Sequence, residues 1–203
     1  MVLDVLAAAG AGVVVGLSLA APPGPVNALI ASHAVTRSWR AGFLVGFGAM
    51  TADAGFLALS VAANTLVLRA VTWFPAVALL GAGVLVYFAI EAARSWSRDP
   101  VVGARTKRAY ATSYATGLGT NLTSPYPILW WLTAGLVLVA QVGPALLVGF
   151  FAGIFLWITG FPYALREAQR RFTRTYHAVL AFSIVCLLVF ATWLVWTAVD
   201  ALL

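Results

Sequence analysis

Apolar residues occur in six long runs along this chain, and charged residues fall almost entirely between the runs. The runs cover Val2–Ala34, Ala41–Ala63, Val71–Ala93, Tyr110–Ala140, Ala145–Leu165 and Ala178–Leu203. Each run is long enough to cross the roughly 30 Å hydrocarbon core of a membrane as an α-helix. The runs lack the alternation that is typical of outer-membrane barrel strands. The pattern therefore predicts an all-α integral membrane protein with six transmembrane helices in a single domain, residues 1–203.

Basic residues between the runs predict the orientation of the chain. Eleven of the twelve Lys and Arg residues lie in three segments, Arg37–Arg40, Arg94–Arg108 and Arg166–Arg174, and Arg69 is the exception. In a six-span chain these three segments lie on one side of the membrane. Basic loops are retained in the cytoplasm. We therefore expect both termini on the extracytoplasmic side of the cell membrane.

Two of the six runs are interrupted by proline-containing segments, Pro22–Pro25 and Asn121–Pro127. After the second break only 13 apolar residues remain, Ile128–Ala140, and these give roughly 20 Å of helix, too short to span. This break is therefore expected at membrane depth, where irregular backbone is tolerated only against protein or a watery cavity. A helix that restarts after such a break directs its N-terminal amides into the protein, as suits a carboxylate or other anion.

The first break has two interpretations. By analogy with the fourth run, it also lies inside the membrane. Alternatively, Val2–Ala21 spans on its own, Pro22–Pro25 is a turn at the cytoplasmic face, and Val26–Ala34 is an interfacial helix. The symmetry between the two breaks favours the first interpretation.

A weak internal repeat relates the two halves of the chain. Leu44–Phe47 recurs as Leu147–Phe150, an offset of 103 residues, and each copy follows a broken run. Each half contains three runs, an odd number, so the second half is inverted relative to the first. The predicted fold is two inverted three-helix repeats, about 1–95 and about 108–203, with helices 1 and 4 broken. Paired broken helices in inverted halves indicate a transporter's binding site near the bilayer midplane.

Asp53 is the most informative single residue, because it lies midway along the second run among small and apolar neighbours. A carboxylate at that depth costs about 2.5–3.5 kcal/mol on insertion scales. No Lys or Arg lies within two helical turns of it in the sequence. Such a carboxylate can load and release a proton, or bind a cation, during a transport cycle. The structural alternative is a protonated carboxyl that hydrogen-bonds a neighbouring helix, with Asn27 or Asn121 as partner.

Composition excludes several classes of protein. Of 203 residues, 63% are apolar and only 9% are charged, far fewer charges than the roughly 25% of soluble domains. The net charge of +6 comes from short loop clusters and suits an anionic membrane surface, so no nucleic-acid partner is predicted. The single cysteine, Cys186, excludes a dithiol centre within one chain. No nucleophile–base pair, metal motif or cofactor motif occurs, so neither an enzyme nor a cofactor is predicted.

Two motifs resemble those of the LysE/RhtB-type family of small amino-acid exporters. They are Pro23-Gly24-Pro25-Val26-Asn27, followed by Gly42, Gly46 and Asp53 on the next helix, and Gly119-Thr120-Asn121-Leu122-Thr123-Ser124-Pro125 in the second half. The resemblance covers nearly the whole chain. It implies export of an amino acid or related metabolite, coupled to a proton or other ion gradient, often as a homodimer.

The sequence departs from that family pattern in the second break. The family often has Asn-Pro followed by Lys there, whereas this chain has Ser124 before the proline and Tyr126 after it. Aligned by the 103-residue offset, Asp53 meets Leu156, so the second half offers no matching carboxylate. One carboxylate favours a neutral substrate over a dicationic one.

These observations give a hypothesis for the site. Asp53 is the predicted coupling residue, with the proton as the expected ion. The predicted substrate-binding residues are Gly24, Pro25, Asn27, Asn121, Thr123, Ser124 and Pro125. The alternatives are export of a metal or other cation by a member of the same superfamily, and a membrane protein with a structural role only.

Overall fold

The computed structural model describes residues 2–62, 74–94, 96, 107–124, 127, 130–131, 144–172 and 174–200. Within these ranges the chain forms seven helices: α1 (Val2–Ala20), α2 (Pro25–Thr36), α3 (Trp39–Ala62), α4 (Phe74–Arg94), α5 (Lys107–Leu122), α6 (Pro144–Arg171) and α7 (Thr175–Asp200). No strand occurs in the described part of the chain. The prediction of an all-α fold agrees with this architecture.

Four of these helices are long and apolar enough to cross a membrane. They contain the candidate spans Leu3–Ala20, Trp39–Ser60, Ala145–Arg171 and Thr175–Asp200. Large apolar side chains cover their outer faces, and Leu3, Val148 and Trp196 are each at least 70% exposed. Such a surface suits a lipid environment. Parts of the predicted third and fourth spans, 71–73, 128–129 and 132–140, lie outside the described residues.

The first proline-rich break separates α1 from α2. Helix α1 ends at Ala20 because Pro22 and Pro23 cannot donate backbone hydrogen bonds. Helix α2 then starts from the extended backbone of Gly24, with Pro25 in its first turn, where a missing N–H is tolerated. The break therefore lies where the sequence predicts it.

Glycine contacts show that α1 and α6 run in the same direction. A side chain added at Gly12 would overlap the carbonyl oxygen of Leu146, and one added at Gly16 would overlap that of Phe150. Both numbers increase together along the two helices. Close backbone approach through small residues is the usual basis of helix association in membranes.

Helix α2 also runs parallel to α6, so the chain continues in one direction through the first break. The Trp157 indole donates to the Asn27 side chain near the start of α2, and Arg166 donates to the Val35 carbonyl near its end. Trp157 lies at the middle of the 28-residue helix α6. The first break is therefore level with the centre of a candidate span.

The burial of α2 decides between the two interpretations of the first break. All nine residues from Asn27 to Val35 are buried, and α2 packs against α3, α6 and α7. An interfacial helix instead exposes a polar face to water. Helix α2 lies inside the bundle, and the interfacial alternative does not fit this packing.

The second break lies level with the centre of α3. Gly117 of α5 approaches the carbonyl of Val45 on α3, and Asn121 donates to the carbonyl of Ala49, so these two helices are also parallel. The described chain leaves helical geometry just after Asn121, beside the middle of the 24-residue helix α3. The three most extensive helix packings in the described bundle are α1 with α6, α3 with α5, and α4 with α7.

Candidate functional site

A cavity of about 320 Å³ lies between the two breaks. Its lining comes from the end of α1, the first break and α2, from the middle of α3, from the end of α5 and the second break, from the middle of α6 and from one residue of α7. The lining residues include Gly24, Pro25, Asn27, Asp53, Asn121 and Ser124. The two broken segments therefore share one cavity.

Asn27 holds the first break together. Its side-chain amide donates to the carbonyls of Ala20 at 2.6 Å and Pro22 at 2.7 Å, which are the groups that the interrupted helix leaves without partners. Its Oδ1 accepts a hydrogen bond from the Trp157 indole Nε1 at 3.0 Å. Asn27 lines the cavity, but both its amide donors and its acceptor already have protein partners. Its first role is therefore to position the start of α2.

The first turn of α2 borders the same cavity. Its first intrahelical bond runs from the Ala28 amide to the Gly24 carbonyl, and no side chain caps the helix among the described residues. The backbone amides of Val26 and Asn27 precede that bond, and both residues line the cavity. A helix start of this kind favours a negatively charged group through its free N–H donors and its dipole.

Asp53 supplies the charge of the site. It is only 8% exposed, lines the cavity, and accepts a hydrogen bond at 3.1 Å from the indole Nε1 of Trp131. Trp131 follows the second break, is 1% exposed, and packs against Phe150 and Phe151 of α6. No Lys or Arg of the described chain pairs with Asp53. A neutral donor fixes this carboxyl group, and a cation or proton can still reach it from the cavity.

Asn121 joins the second break to α3. Its amide donates to the Ala49 carbonyl at 2.9 Å, and its side chain also neighbours the Asp53 carboxyl. Ser124, just beyond the helix, lines the cavity as well. The sequence-based alternative that Asp53 bonds Asn27 is not seen, because the described donors to Asp53 come from the second break.

The structure brings together six of the eight residues predicted for the site. Asp53, Gly24, Pro25, Asn27, Asn121 and Ser124 all line the cavity. Thr123 does not, and its hydroxyl donates at 2.9 Å to the Gly119 carbonyl in the last turn of α5. Pro125 lies outside the described residues.

Trp157 is a site residue that the sequence does not single out. It lines the cavity, donates to Asn27 and stacks on Phe161 at a centroid distance of 4.9 Å. Under the 103-residue offset it falls one position after the partner of Asp53. A tryptophan in an apolar run gives no sign that its indole N–H faces inward, so only the packing reveals this role.

A second polar cluster lies away from the cavity, between α2 and α5. The buried His33 Nδ1 is 3.1 Å from the hydroxyl of the buried Ser113, and the Arg37 guanidinium donates to the same hydroxyl at 3.3 Å. His33 therefore satisfies a polar group outside the cavity. In the described residues, no group of three or more His, Cys, Asp and Glu side chains converges to hold a metal.

Comparison with known proteins gives a consistent identification. The family model described as LysE type translocator matches residues 17–198. A protein of Bacillus subtilis (strain 168), named "Putative amino acid efflux protein YcgF", is 32% identical over 160 residues, which cover 71% of this chain and 74% of that protein. No solved structure gives a significant match. From the family match over most of the chain, this protein belongs to the LysE type translocator family.

Proposed function

We propose that this protein exports an amino acid or related small metabolite by alternating access, with the proton gradient as the driving force. The cavity between the two breaks is the substrate site, and Asp53 is the coupling carboxylate. The observation that carries this proposal is the cavity that both broken segments line, with one nine-tenths-buried carboxylate in it. The name of the Bacillus subtilis relative, an amino acid efflux protein, supports the direction and the substrate class.

The architecture that we propose is two inverted three-helix repeats. The first comprises the broken α1–α2 segment, α3 and α4, and the second comprises the broken segment that starts with α5, then α6 and α7. The most extensive packings are α1 with α6, α3 with α5, and α4 with α7, and exchanging the two halves maps this set onto itself. The parallel directions of α1 and α6, and of α3 and α5, are those that six spans with inverted halves require.

Asp53 allows a simple coupling scheme. Its carboxylate holds either a proton or a cationic group of the substrate, but not both. A proton from outside then displaces the substrate, and release of that proton inside frees the carboxylate for the next substrate. The Trp131 hydrogen bond keeps the carboxyl facing the cavity in both states. Because the group lies in a low-dielectric interior, an uncompensated charge there disfavours movement of the empty carrier.

The orientation is tested by labelling from each side of the membrane. Leu3 is exposed at the N-terminal end of α1, and Arg171 is exposed at the end of α6. In a Cys186→Ser background, we expect an impermeant thiol reagent to label Leu3→Cys from outside and Arg171→Cys only from inside. The opposite result would reverse the proposed topology.

The central experiment measures efflux from proteoliposomes loaded with an amino-acid mixture, with and without an imposed pH gradient. The Asp53→Asn variant keeps the shape of the side chain and removes the charge, so it should insert as well as the parent. We expect it to lose at least 90% of gradient-driven efflux. Asp200→Asn, at the exposed end of α7, is the matched control and should retain full activity. Full gradient-driven efflux by inserted Asp53→Asn protein would overturn the coupling role.

A further inference from the structure

The cavity wall has a few polar side chains and is otherwise mostly apolar. Polar side chains come only from Asp53, Asn27, Asn121 and Ser124 among the described lining residues. Most of the remaining wall is apolar and consists of Leu19, Val26, Ile30, Met50, Ile154, Trp157, Ile158 and Phe190, together with small residues and prolines. Since the polar atoms of Asn27 already have protein partners, few polar groups are left for a substrate.

Two features of the cavity wall, the Asp53 side chain and the start of α2, have opposite electrostatic character. Asp53 is a carboxylate without a cationic partner in the described chain, and it is the only charged side chain among the described lining residues. The start of α2 has no side-chain cap, and its residues Val26 and Asn27 border the same space. One negative group and one anion-binding helix start match the ammonium and the carboxylate of a free amino acid.

We propose that the substrate is a neutral amino acid with an apolar side chain, bound as the zwitterion. This inference rests on the proposed function and narrows its substrate class. The ammonium pairs with Asp53, the carboxylate meets the start of α2, and the side chain packs against the apolar wall. A basic side chain would find no second carboxylate, and an acidic one no basic partner, in the described lining. Burying an unpaired charge costs several kcal/mol, so both are rejected.

The size of the cavity agrees with a single amino acid. Its volume of about 320 Å³ is at the lower end of the roughly 300–1,000 Å³ range of ligand sites. That space suits a branched or aromatic side chain. Because discrimination by an apolar wall is modest, about 10–200-fold per methylene-scale difference, related apolar amino acids should share the site.

The first experiment uses proteoliposomes that contain the intact protein and measures efflux of single radiolabelled compounds under a pH gradient. The panel is leucine, phenylalanine, serine, lysine and glutamate, with isoamylamine and 4-methylpentanoate as leucine analogues that lack one charged group. We expect leucine and phenylalanine to leave at least 10-fold faster than lysine, glutamate and either analogue. Serine should be intermediate or slow, because it makes no use of the apolar wall.

A wall variant tests the position of the side-chain site. Met50 lines the cavity, whereas its neighbour Thr51 is exposed and bonds the Phe47 carbonyl of its own helix. Met50→Ala enlarges the apolar space, and we expect it to raise the ratio of tryptophan to leucine efflux at least 3-fold. Thr51→Ala makes the same new residue at an exposed position of the same helix, and its ratio should stay within 1.5-fold of the parent.

The outcomes separate this inference from the function on which it depends. Lysine or glutamate efflux as fast as that of leucine, sensitive to Asp53→Asn, would overturn the substrate class and leave amino-acid export intact. Equal efflux of leucine and isoamylamine would overturn zwitterion binding. No gradient-driven efflux of any amino acid by inserted protein would overturn the proposed function itself. An unchanged tryptophan-to-leucine ratio in Met50→Ala would remove the apolar wall from substrate selection.

Discussion

The two breaks of this bundle are built alike but differ in chemistry. At the first, an asparagine closes the break on itself, since Asn27 donates to Ala20 and Pro22 and accepts from Trp157. At the second, Trp131 donates across to the carboxylate of Asp53 on the opposite half. In both cases an indole N–H ties a break to its surroundings, but a neutral amide accepts in one and an acid in the other.

This difference in hydrogen-bond partners suggests different roles for the two breaks, one structural and one chemical. Helix α6 offers Trp157 to the first break at nearly the level where α3 offers Asp53 to the second. In the proposed inverted-repeat architecture, a two-fold scaffold therefore carries a site with one charged side chain among its described lining residues. An unequal site of this kind can distinguish the two ends of a zwitterion, whereas two identical half-sites could not. We infer that the first break holds the structure and the second performs coupling.

The largest effect is expected where the two halves share a feature, at their glycine contacts. A side chain at Gly117 would overlap the Val45 carbonyl, and one at Gly12 would overlap the Leu146 carbonyl. Because backbone cannot give way locally, we expect Gly117→Ala and Gly12→Ala each to reduce stability by about 3 kcal/mol. Thermal unfolding in detergent and the yield of inserted protein measure this.

The chain supplies neighbouring controls for both positions. Gly119 and Gly10 have nothing within 4 Å of the site of an added side chain, although they share the helices of Gly117 and Gly12. Their alanine variants should be as stable as the parent or slightly more so, because alanine favours the helix over glycine. If only one of the two contact glycines is sensitive, the halves do not share a common scaffold.

The next prediction separates the two asparagines. Asn27→Ala leaves two carbonyls and the Trp157 indole without partners, so we expect a loss of roughly 1–2 kcal/mol in stability. The maximal efflux rate should fall with it, while the half-saturating substrate concentration changes less than 2-fold. Initial rates over a range of substrate concentrations, measured beside unfolding curves, give both quantities.

Asn121→Ala should give the opposite pattern. Its amide donates to the Ala49 carbonyl, and its side chain borders the cavity beside Asp53. We expect its half-saturating concentration to rise at least 5-fold with a smaller change in maximal rate. Identical effects of the two alanine substitutions would contradict the division between a structural and a functional break.

Much of this architecture follows from the sequence, because prolines and charges act locally. Pro22 and Pro23 remove two backbone donors in succession and Pro25 suits the first turn of a helix, so the position of the first break is predictable. The burial cost of Asp53 likewise marks it without coordinates. Six of the eight predicted site residues line one cavity for these reasons.

The roles of the other site residues depend on where their side chains point, which the sequence does not show. Asn27 is polar and lies at a break, which predicts a contact with the substrate as readily as a structural clamp. The distances to Ala20 and Pro22 establish the clamp. Thr123 is equally polar, yet its rotamer returns the hydroxyl to Gly119. In the sequence, Trp157 is one apolar residue among many. Its role depends on which face of α6 contacts α2, and the sequence does not show this.

The smallest expected effect on stability comes from removing either of the two indole donors. The two variants should nevertheless differ in the pH dependence of efflux. Trp157→Phe removes the bond to Asn27 but keeps a ring that can stack on Phe161, so we expect a loss of about 0.5–1 kcal/mol in stability. Its efflux should keep the pH dependence of the parent, because no titrating group loses a partner.

Trp131→Phe also keeps a ring against Phe150 but removes the donor to Asp53. The pH dependence of its efflux should therefore move measurably, even if its stability matches that of Trp157→Phe. Efflux rates at a series of internal and external pH values, with both variants at equal protein density, provide the comparison. A pH profile that moves equally in both variants would show that the two breaks are coupled to the proton alike.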